Sequence, residues 1–546
     1  MMKRSLLCAA LAAALAAAGC GGGGSDSSAT TPEQPPTTPT PSTPPPTTPA
    51  PSTPPPLVPT PPTAPTNPTP PPTTTPTTPT SPTSPTTPGT IDRIEPLDTA
   101  TLKSGAQAKA ESVAARSRMP QGAAAARIAL GPLVAAKMAA PQNKGAPLRV
   151  GQGRAVQATA SPQDLAGQLR WNALADGSQV AAVAFSSDGA QAMRLGVLAR
   201  RVPAGAVLRF YGADGADVVE MTAAQLDELR RNNEAGGLSG DDARLVWGPT
   251  TAGSVSVLEV QLPPGADAGQ LQLAVPQLSH FAQTMQQTLK DAVDTYGLGS
   301  SASCNLDVMC NTDLQAESRA VAKIVFHSGN SDYLCTGTLM NDAKGSRTPY
   351  FLTANHCIST QAEASSVETN WFFRAASCNS SPLYSAAATR ITGGARLLYT
   401  EATSDATLLQ LNAAPPANVV YAGSYFGAGL VLSTSVAGVH HPQGDLQKYS
   451  LGNVIGYDIC VASGGGMSSC RSATLSTGTM YQIGWAQGVT EPGSSGSALF
   501  TKLGNTRYVA GTLNAGDASC TNRSGVDDYG RFDGAYSRGI KTYLNP

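Results

Sequence analysis

Three short segments of the sequence contain residue types that can act together in nucleophilic catalysis. His356 follows the apolar stretch YFLTA, Asp405 directly precedes the stretch ATLLQL, and Ser495 lies in the small-residue loop PGSSGS. A serine hydroxyl attacks a carbonyl carbon efficiently only when a neighbouring base takes its proton, and a carboxylate can hold that base in the required tautomer. We therefore predict that Ser495 is a nucleophile, His356 its general base and Asp405 the residue that orients the histidine.

Each of these residues, taken alone, also has an ordinary structural interpretation. A histidine beside a strand can simply pack, an aspartate before a strand is often a turn residue, and PGSSGS could be a glycine-serine turn. Their order along the chain, His then Asp then Ser, is that of the chymotrypsin group and differs from the orders in subtilisins and α/β-hydrolases. The hydrolase motif GxSxG is not met, because position 497 is serine.

The loop around the predicted nucleophile is also suited to stabilise negative charge. Small side chains let the backbone approach a substrate, so the N–H groups of Gly493 and Ser495 can donate to a developing oxyanion. We predict that these two groups form the oxyanion hole. The chemistry needs neither a metal nor an organic cofactor, and we expect none.

The amino-terminal residues have the pattern of an export signal. Lys3 and Arg4 precede an apolar run over residues 6–18, which is short for a membrane span and ends in AAAGC. This ending resembles the lipoprotein signal in which Cys20 becomes the lipidated first residue; the alternative is an ordinary signal peptide. We predict a protein that is secreted, or attached to the outer cell surface through Cys20.

Export also governs the interpretation of the cysteines. Eight cysteines lie after residue 300, and an even number in an oxidising compartment predicts four disulfides in this part of the chain. The residues alone leave the pairing open. A metal site is the alternative, but the sequence contains no CxxC pair and its histidines lack ligand spacing.

Composition divides the chain into segments and limits the partners. The net charge of −1 and the 13% of charged residues argue against a nucleic-acid surface, so we expect no nucleic-acid partner. Residues 30–88 are almost wholly Pro, Thr and Ser, which predicts an extended spacer. We predict four parts: a signal peptide (1–20), a disordered linker (21–90), an amino-terminal part with a β-rich domain (91–298) and a catalytic domain (299–546).

Residues 91–298 contain two different sequence patterns. Residues 91–140 are rich in alanine and predict a poorly specified helical segment, whereas residues 148–285 contain strand patterns between Pro and Gly turns. One helix, TAAQLDELRRN, interrupts the strands, with Thr222 as its N-cap. The remaining residues, 299–546, have the length of two six-stranded antiparallel β-barrels, so the predicted fold class is mainly β.

The catalytic region resembles the lysyl endopeptidase family of bacterial trypsin-fold serine proteases. The resemblance covers nearly all of residues 299–546 and is carried by SCNLDVMC, CTGTLMN, YFLTANHC, ATSDATLLQLN, VHHPQGD, GVTEPGSSGS and NRSGVDDYGR. It implies a serine endopeptidase that acts on protein or peptide substrates and is made as a precursor, with residues 91–298 as its propeptide. We expect this enzyme to be a monomer. The resemblance also implies the disulfides Cys304–Cys520, Cys310–Cys378 and Cys335–Cys357, which leaves Cys460–Cys470 as a further pair.

The resemblance implies a specificity as well. Family members cut after lysine because a pocket aspartate meets the substrate ammonium, and this aspartate maps onto Asp527, with Asp528 adjacent. A solvated loop aspartate is the ordinary alternative. Where the family has a tryptophan and a histidine lining the cleft, this chain has Ser463 and Asn514, which removes ring surface and could widen the pocket for arginine. We predict cleavage after a basic residue and leave lysine against arginine open.

The sequence leaves two alternative functions open and also bears on how the precursor is activated. The alternatives are a V8-like protease that cuts after glutamate or with other specificity, and a surface binding protein whose protease fold has lost activity. Position 494 is serine rather than the aspartate that pairs with a freed amino terminus in animal trypsins, so that switch is absent. We expect the propeptide to be a folding aid or an inhibitor, removed near the bond between Leu298 and Gly299, with Lys290 as the nearest basic residue upstream.

Overall fold

The computed structural model describes residues 91–101, 115–133, 145–281, 300–380, 388–464 and 467–546. The predicted signal peptide and linker, including Cys20, lie outside these residues, as do Lys290, Leu298 and Gly299. No helix in the described ranges is long and apolar enough to cross a membrane. The predicted boundaries between the four parts stay predictions.

The residues before the two barrels form short strands and a β-rich domain. The strands are β1 (Arg93–Ile94), β2 (Leu97–Asp98), β3 (Ala126–Leu130), β4 (Leu148–Ala155), β5 (Asn172–Ala173), β6 (Gln179–Ser187), β7 (Ala192–Arg201), β8 (Val207–Gly212), β9 (Val219–Thr222), β10 (Leu245–Trp247), β11 (Thr251–Ala252), β12 (Val255–Leu262) and β13 (Gln272–Phe281). The helices are α1 (Pro162–Gln168) and α2 (Ala223–Ala235).

This domain is a sandwich of two sheets around one apolar core. One sheet has the order β3-β6-β12-β8-β9, and the other includes β10-β7-β13-β4. Alternate residues of both sheets, such as Phe185, Leu258, Leu195 and Leu278, point into the same buried cluster. The predicted helix is present as α2, and the side chain of Thr222 accepts the Gln225 N–H as its N-cap.

The prediction of a helical segment over residues 91–140 is wrong for the part that the structure describes. Residues 93–94 and 97–98 are strands, and β3 pairs in parallel with β6. The reason is tertiary: Ala126, Ile128 and Leu130 alternate on one face of β3 and pack against the domain core, which outweighs the helix propensity of alanine.

The catalytic part, residues 300–546, contains seventeen further strands among the described residues. They are β14 (Leu306–Asp307), β15 (Val321–Ser328), β16 (Ser331–Met340), β17 (Tyr350–Thr353), β18 (Glu368–Trp371), β19 (Thr389–Ile391), β20 (Ala395–Glu401), β21 (Ala406–Leu411), β22 (Val420–Tyr421), β23 (Ser424–Tyr425), β24 (Ser435–His440), β25 (Lys448–Gly464), β26 (Met467–Ser472), β27 (Met480–Gln487), β28 (Ala498–Leu503), β29 (Thr506–Gly516) and β30 (Val526–Arg531). The helices are α3 (Gln315–Ser318), α4 (Gln361–Ser365), α5 (Phe532–Ala535) and α6 (Lys541–Leu544), with a π-helical turn at Tyr536–Ile540.

These strands form two antiparallel barrels, so the predicted mainly β, trypsin-like fold is confirmed. The second barrel closes completely in the order β24-β25-β27-β30-β29-β28 and back to β24. The first runs β20-β21-β17-β16-β15-β18, and its ends meet where the Gly394 N–H donates to the Val367 carbonyl at 3.1 Å. Val321 and Leu408 of the first barrel pack with Val439 and Phe500 of the second, which fixes the cleft between them.

Four disulfides link the catalytic part. The three pairs that the resemblance implies, Cys304–Cys520, Cys310–Cys378 and Cys335–Cys357, are bonded in the structure. The remaining pair, Cys460–Cys470, is bonded as well. The third joins β16 to the residue after His356, and the fourth lies across the β25–β26 hairpin. The third disulfide therefore reinforces the segment around His356, and the fourth reinforces the β25–β26 hairpin.

Candidate active site

The carboxylate of Asp405 holds the imidazole of His356 at two points. Asp405 Oδ2 lies 2.6 Å from His356 Nδ1, and Asp405 Oδ1 accepts the backbone N–H of His356 at 2.8 Å. His356 follows β17 and Asp405 precedes β21, and because these strands pair with each other, the first barrel sets the distance. Asp405 is only 3% exposed, so little water competes for its oxygens.

Asn514 is a second support for the same carboxylate. Its Nδ2 donates to Asp405 Oδ2 at 2.8 Å, and the side chain is buried. Asn514 belongs to β29 of the second barrel, so this hydrogen bond joins the two barrels at the catalytic residues. Asp405 itself has φ of 46°, a left-handed conformation that aspartate tolerates better than most residues.

Glycines fix the loop that carries Ser495. Gly493 and Gly496 have φ of 96° and 80°, the region that favours glycine. A Cβ at position 496 would lie 2.3 Å from Thr353 Oγ1 and 2.9 Å from the Ala354 nitrogen, so the loop packs directly on the strand that leads to the histidine. The structure therefore brings Ser495 to the loop of His356, and only glycine fits at position 496.

Thr336 on β16 ties the same loop to the first barrel. Its backbone N–H donates to the Ser495 carbonyl at 2.8 Å, and its Oγ1 donates to the Gly493 carbonyl at 2.9 Å. The N–H groups of Gly493 and Ser495 donate to no atom of the described residues. Two unengaged N–H groups beside a serine hydroxyl are the arrangement that an oxyanion hole requires.

The base and the nucleophile are not hydrogen-bonded to each other in this structure. His356 Nε2 is buried and has no hydrogen-bond partner among the described residues. Apo sites often show a long contact here that tightens when substrate binds. The nitrogen that we predict to take the serine proton therefore forms no hydrogen bond to any other group described.

A recess opens beside Ser495, and one of its lining residues, Thr490, contacts a buried carboxylate. The recess is lined by Thr490, Glu491, Pro492, Ser495, Leu513, Asn514 and Ala515, together with Gly145 of the amino-terminal part. Thr490 Oγ1 donates to Asp527 Oδ2 at 2.7 Å, and Trp485 Nε1 donates to the same oxygen at 2.6 Å. Asp527 is fully buried and is therefore not a solvated loop residue.

The other residues predicted for the pocket have different positions. Asn514 lines the recess, but its amide is turned onto Asp405. Ser463 lies in β25, and its side chain is outside the described part of the chain. Asp528 points to the opposite side of β30, where burial, and next the nearby Asp458 carboxylate, raise its pKa to about 8.

The remaining histidines have structural surroundings. His440 Nδ1 lies 2.8 Å from Ser494 Oγ, so the residue before the nucleophile is held by an imidazole. His441 is completely buried, which lowers its pKa to about 3, and its Nδ1 lies 3.0 Å from the Asp445 carbonyl. His327 packs against the ring of Trp247, and His280 lies 2.8 Å from Ser187 Oγ. None of the four is placed as a second catalytic base.

Three contributors were missed from the sequence. Asn514 was assigned to the pocket and not to the support of Asp405, and Thr490 was not assigned at all. Thr490 could have been found, because it lies five residues before Ser495 in the same segment, GVTEPGSSGS. Gly145 gives no local signal, since its place beside Ser495 depends on how the amino-terminal domain packs.

Comparison with protein families gives matches over both structured parts. Residues 298–530 match the lysyl endopeptidase C-terminal domain, and residues 121–282 match the lysyl endopeptidase N-terminal domain. A lysyl endopeptidase of Pseudomonas aeruginosa is 33% identical over 420 residues, which cover 74% of this chain and 82% of that protein. Secreted RxLR effector protein 73 of Plasmopara viticola is 27% identical over 231 residues, covering 38% of this chain and 52% of the effector.

Solved protease structures align at low identity. The active form of the Rv3671c protease of M. tuberculosis aligns with a TM-score of 0.29 and 15% identity, covering 47% of this chain and 95% of that one. The MamO protease domain of Magnetospirillum magneticum aligns with a TM-score of 0.27 and 13% identity, covering 41% of this chain and 97% of that one.

Proposed function

The chain belongs to the lysyl endopeptidase family and is a serine endopeptidase, and from this premise we propose that it is an exported enzyme that cuts protein and peptide chains after a basic residue. Ser495, His356 and Asp405 carry the reaction in this proposal. Gly493 and Ser495 supply the oxyanion hole, and Asp527 selects the substrate side chain. No cofactor takes part.

The buried carboxylate of Asp527 is the observation that carries the specificity. Its Oδ2 accepts two hydrogen bonds, from Trp485 and from Thr490, and Thr490 also lines the recess beside Ser495. A lysine or arginine side chain in the recess would bring a cation to this buried anion. An uncharged or acidic side chain would lack this attraction to the buried carboxylate.

The mechanism follows from the contacts around the triad. Ser495 Oγ attacks the carbonyl carbon of the bond to be cut while its proton passes to His356 Nε2. Asp405 accepts from His356 Nδ1 and stabilises the imidazolium, and Asn514 holds Asp405 in place. The N–H groups of Gly493 and Ser495 stabilise the oxyanion, and the imidazolium then protonates the leaving amine. Water then attacks the acyl-enzyme. His356 takes a proton from this water and returns it to Ser495 Oγ as the acyl group leaves.

The choice between lysine and arginine depends on the space above Asp527. The Asn514 side chain offers no surface for a substrate side chain to stack on, because its amide is turned onto Asp405. Thr490 and Leu513 line the recess, and the alkyl stems of lysine and arginine can both pack along such a surface. We therefore propose a basic-residue specificity and let a substrate comparison decide between the two.

Export and surface attachment complete the proposal. The apolar run over residues 6–18 would direct the chain out of the cytoplasm, and four disulfides suit an oxidising compartment. A lipid on Cys20 would leave residues 30–88 as a spacer between membrane and enzyme. Mass spectrometry of the amino terminus of protein made with and without a Cys20→Ala substitution tests the lipid, and unmodified Cys20 would contradict it.

One experiment tests the catalytic proposal. Mature enzyme is incubated with a mixed peptide library beside its Ser495→Ala variant, and mass spectrometry identifies the residue on the amino side of each cut. We expect cuts after lysine or arginine that disappear in the variant. Cuts after glutamate or apolar residues would contradict the role of Asp527. The absence of cutting, together with failure of a fluorophosphonate to label Ser495, would favour a binding protein without activity.

A further inference from the structure

Residues 91–101 form a short segment that lies before both ranges matched to the lysyl endopeptidase domains. Those ranges are 121–282 and 298–530, and the Pro/Thr-rich residues 30–88 precede the segment almost directly. The two strands of this segment pair with strands of the catalytic part, β1 with β23 and β2 with β22. We call residues 91–101 the docking segment.

The pairing lays the docking segment along the connection between the two barrels, because β22 and β23 lie between β21 of the first barrel and β24 of the second. Both ladders are antiparallel, with Ile94 opposite Ser424 and Leu97 opposite Tyr421. A Cβ at position 423 would lie 2.5 Å from the Ile94 carbonyl oxygen, so only glycine allows this close approach. The catalytic part is therefore shaped to receive an extended segment here.

Apolar side chains of the docking segment enter the cores of the catalytic part. Ile94 is only 4% exposed and belongs to the same cluster as Val420 and Phe500, where the two barrels meet. Leu97 packs against the core of the first barrel. Ile91, in contrast, is 63% exposed. The segment thus buries apolar surface, the main favourable contribution to most protein association, at defined positions.

Polar contacts accompany the apolar ones on both barrels. The Asp98 carboxylate accepts two hydrogen bonds from the guanidinium of Arg319, one of them at 2.8 Å, and these bonds lower the pKa of Asp98. The Tyr508 hydroxyl donates to Glu95 Oε2 at 2.7 Å, and Asn341 Nδ2 donates to the Glu95 carbonyl at 2.9 Å. Apolar anchors flanked by satisfied polar groups are typical of a specific interface.

The docking segment leaves the candidate active site open. No residue of the segment belongs to the described lining of the recess beside Ser495. The contacts given above involve neither His356 nor Asp405. A bound docking segment is therefore compatible with catalysis, unlike a segment that fills the substrate cleft.

We propose that the docking segment binds the catalytic part by itself and keeps the enzyme attached to its amino-terminal spacer when the intervening chain is cut. The partner of this surface is thus a segment of the same chain. Because residues 30–88 precede the segment, whatever holds the spacer would also hold the enzyme. With a lipid on Cys20, as proposed above, a cut chain would stay at the cell surface. This inference goes beyond the catalytic function and does not depend on it.

The test cuts the chain just after the docking segment with an unrelated protease. A recognition site for that protease is inserted between residues 101 and 115, and an affinity tag is placed within residues 30–88, in the Ser495→Ala background to prevent self-digestion. All four disulfides lie after residue 300, so none of them joins the two fragments. Capture on the tag therefore measures non-covalent binding, and we expect the untagged fragment to be retained.

Two isoleucines of the docking segment provide a matched pair of variants. Ile94→Asp puts a charge into the core between the barrels and should lower the retained fraction about 10-fold or more, whereas Ile91→Asp changes an exposed side chain and should leave it unchanged. Loss of the untagged fragment from the unsubstituted protein would contradict the inference. Equal retention in the two variants would contradict it as well, because another part of the chain would then make the contact.

A peptide measurement excludes misfolding of the variants as a cause. A synthetic peptide of residues 91–101 is added in excess to the captured, unsubstituted protein. It should release the untagged fragment, the same peptide with Ile91→Asp should act equally, and the peptide with Ile94→Asp should not. Equal release by the parent and Ile94→Asp peptides, including none from either, would overturn the inference. The proposed catalytic function would stand in that case, since it is decided by library cleavage with the active enzyme.

Discussion

Asn514 Nδ2 and His356 Nδ1 bind the same oxygen of Asp405, at 2.8 Å and 2.6 Å. One oxygen thus carries both the hydrogen bond that orients the base and the hydrogen bond that orients the carboxylate. Because Asn514 comes from the second barrel and His356 from the first, the catalytic geometry depends on the packing of one barrel against the other.

Asn514→Ala should lower kcat with little change in KM. The substitution removes a hydrogen bond to a buried charged group, worth about 1.5–3 kcal/mol, which corresponds to a roughly 10- to 100-fold loss of rate if it acts in the transition state. Steady-state kinetics on a lysyl peptide measures the two constants separately. A matched control is Asn505→Ala, which changes an asparagine outside the catalytic recess. A rise in KM at constant kcat would show that Asn514 binds substrate instead.

Asp527→Asn should remove the preference for basic residues. The variant keeps a side chain of the same shape but leaves a bound lysine without its counter-charge, so kcat/KM for a lysyl substrate should fall about 100- to 1,000-fold. The ratio of lysyl to norleucyl peptide cleavage reports the specificity directly. Asp528→Asn is the control, since that neighbouring carboxyl group lies toward Asp458 and not toward the recess. An unchanged ratio in Asp527→Asn would contradict the pocket assignment.

Asp528 should make the enzyme less stable as the pH rises. Burial raises its pKa from the ordinary 3.8 to about 8, and the Asp458 carboxylate adds to the effect. The folded state therefore binds a proton that the unfolded state releases, so this stability is complete below about pH 4 and is lost as the pH rises through 8. The Asp528→Asn variant has no such proton to lose.

Melting temperatures at pH 5 and pH 9 measure this effect, in the Ser495→Ala background to prevent self-digestion. Asp528→Asn should gain stability relative to the parent at pH 9 and gain less at pH 5. Lys323, whose pKa burial lowers to about 7, changes stability in the opposite direction, but it is present in both proteins and cancels in the comparison. An equal difference at both pH values would show that Asp528 does not titrate in this range.

The sequence predicts much of this site because short segments carry it. His356, Asp405 and Ser495 each lie beside an apolar strand that pairing must bring to the cleft, so their chain order was informative. The hydrogen bond from Asn514 was not predictable in this way. It depends on an irregularity between Leu513 and Ala515 in the pairing of β29 with β30, which alters how this segment faces Asp405.

Contacts that depend on how the amino-terminal domain packs could not be predicted from the sequence either. Gly145 and β4 have no catalytic residue types. Gly145 lies beside Ser495, and the strand that follows it, β4, pairs with β16 in a shared sheet. β3 was misjudged for a similar reason, because its alanines favour a helix locally and a strand only against the core around Phe185. Both errors concern contacts between segments far apart in sequence, where local propensity carries little information.

Gly496→Ala should abolish activity and destabilise the catalytic part, whereas Gly504→Ala should not. Both glycines have left-handed backbone, with φ of 80° and 62°, so each substitution carries a conformational cost of about 1 kcal/mol. At position 504 a Cβ meets nothing within 4 Å, but at 496 it would lie 2.3 Å from Thr353 Oγ1 and 2.5 Å from the Thr336 carbonyl. Thr336 and Thr353 lie on β16 and β17 of the first barrel, and β17 leads to His356. The loop of Ser495 must therefore move away from these strands and from the histidine. Cleavage of a lysyl peptide and the melting temperature of each variant test this, and comparable activity in the two variants would show that the loop can shift without disturbing the nucleophile.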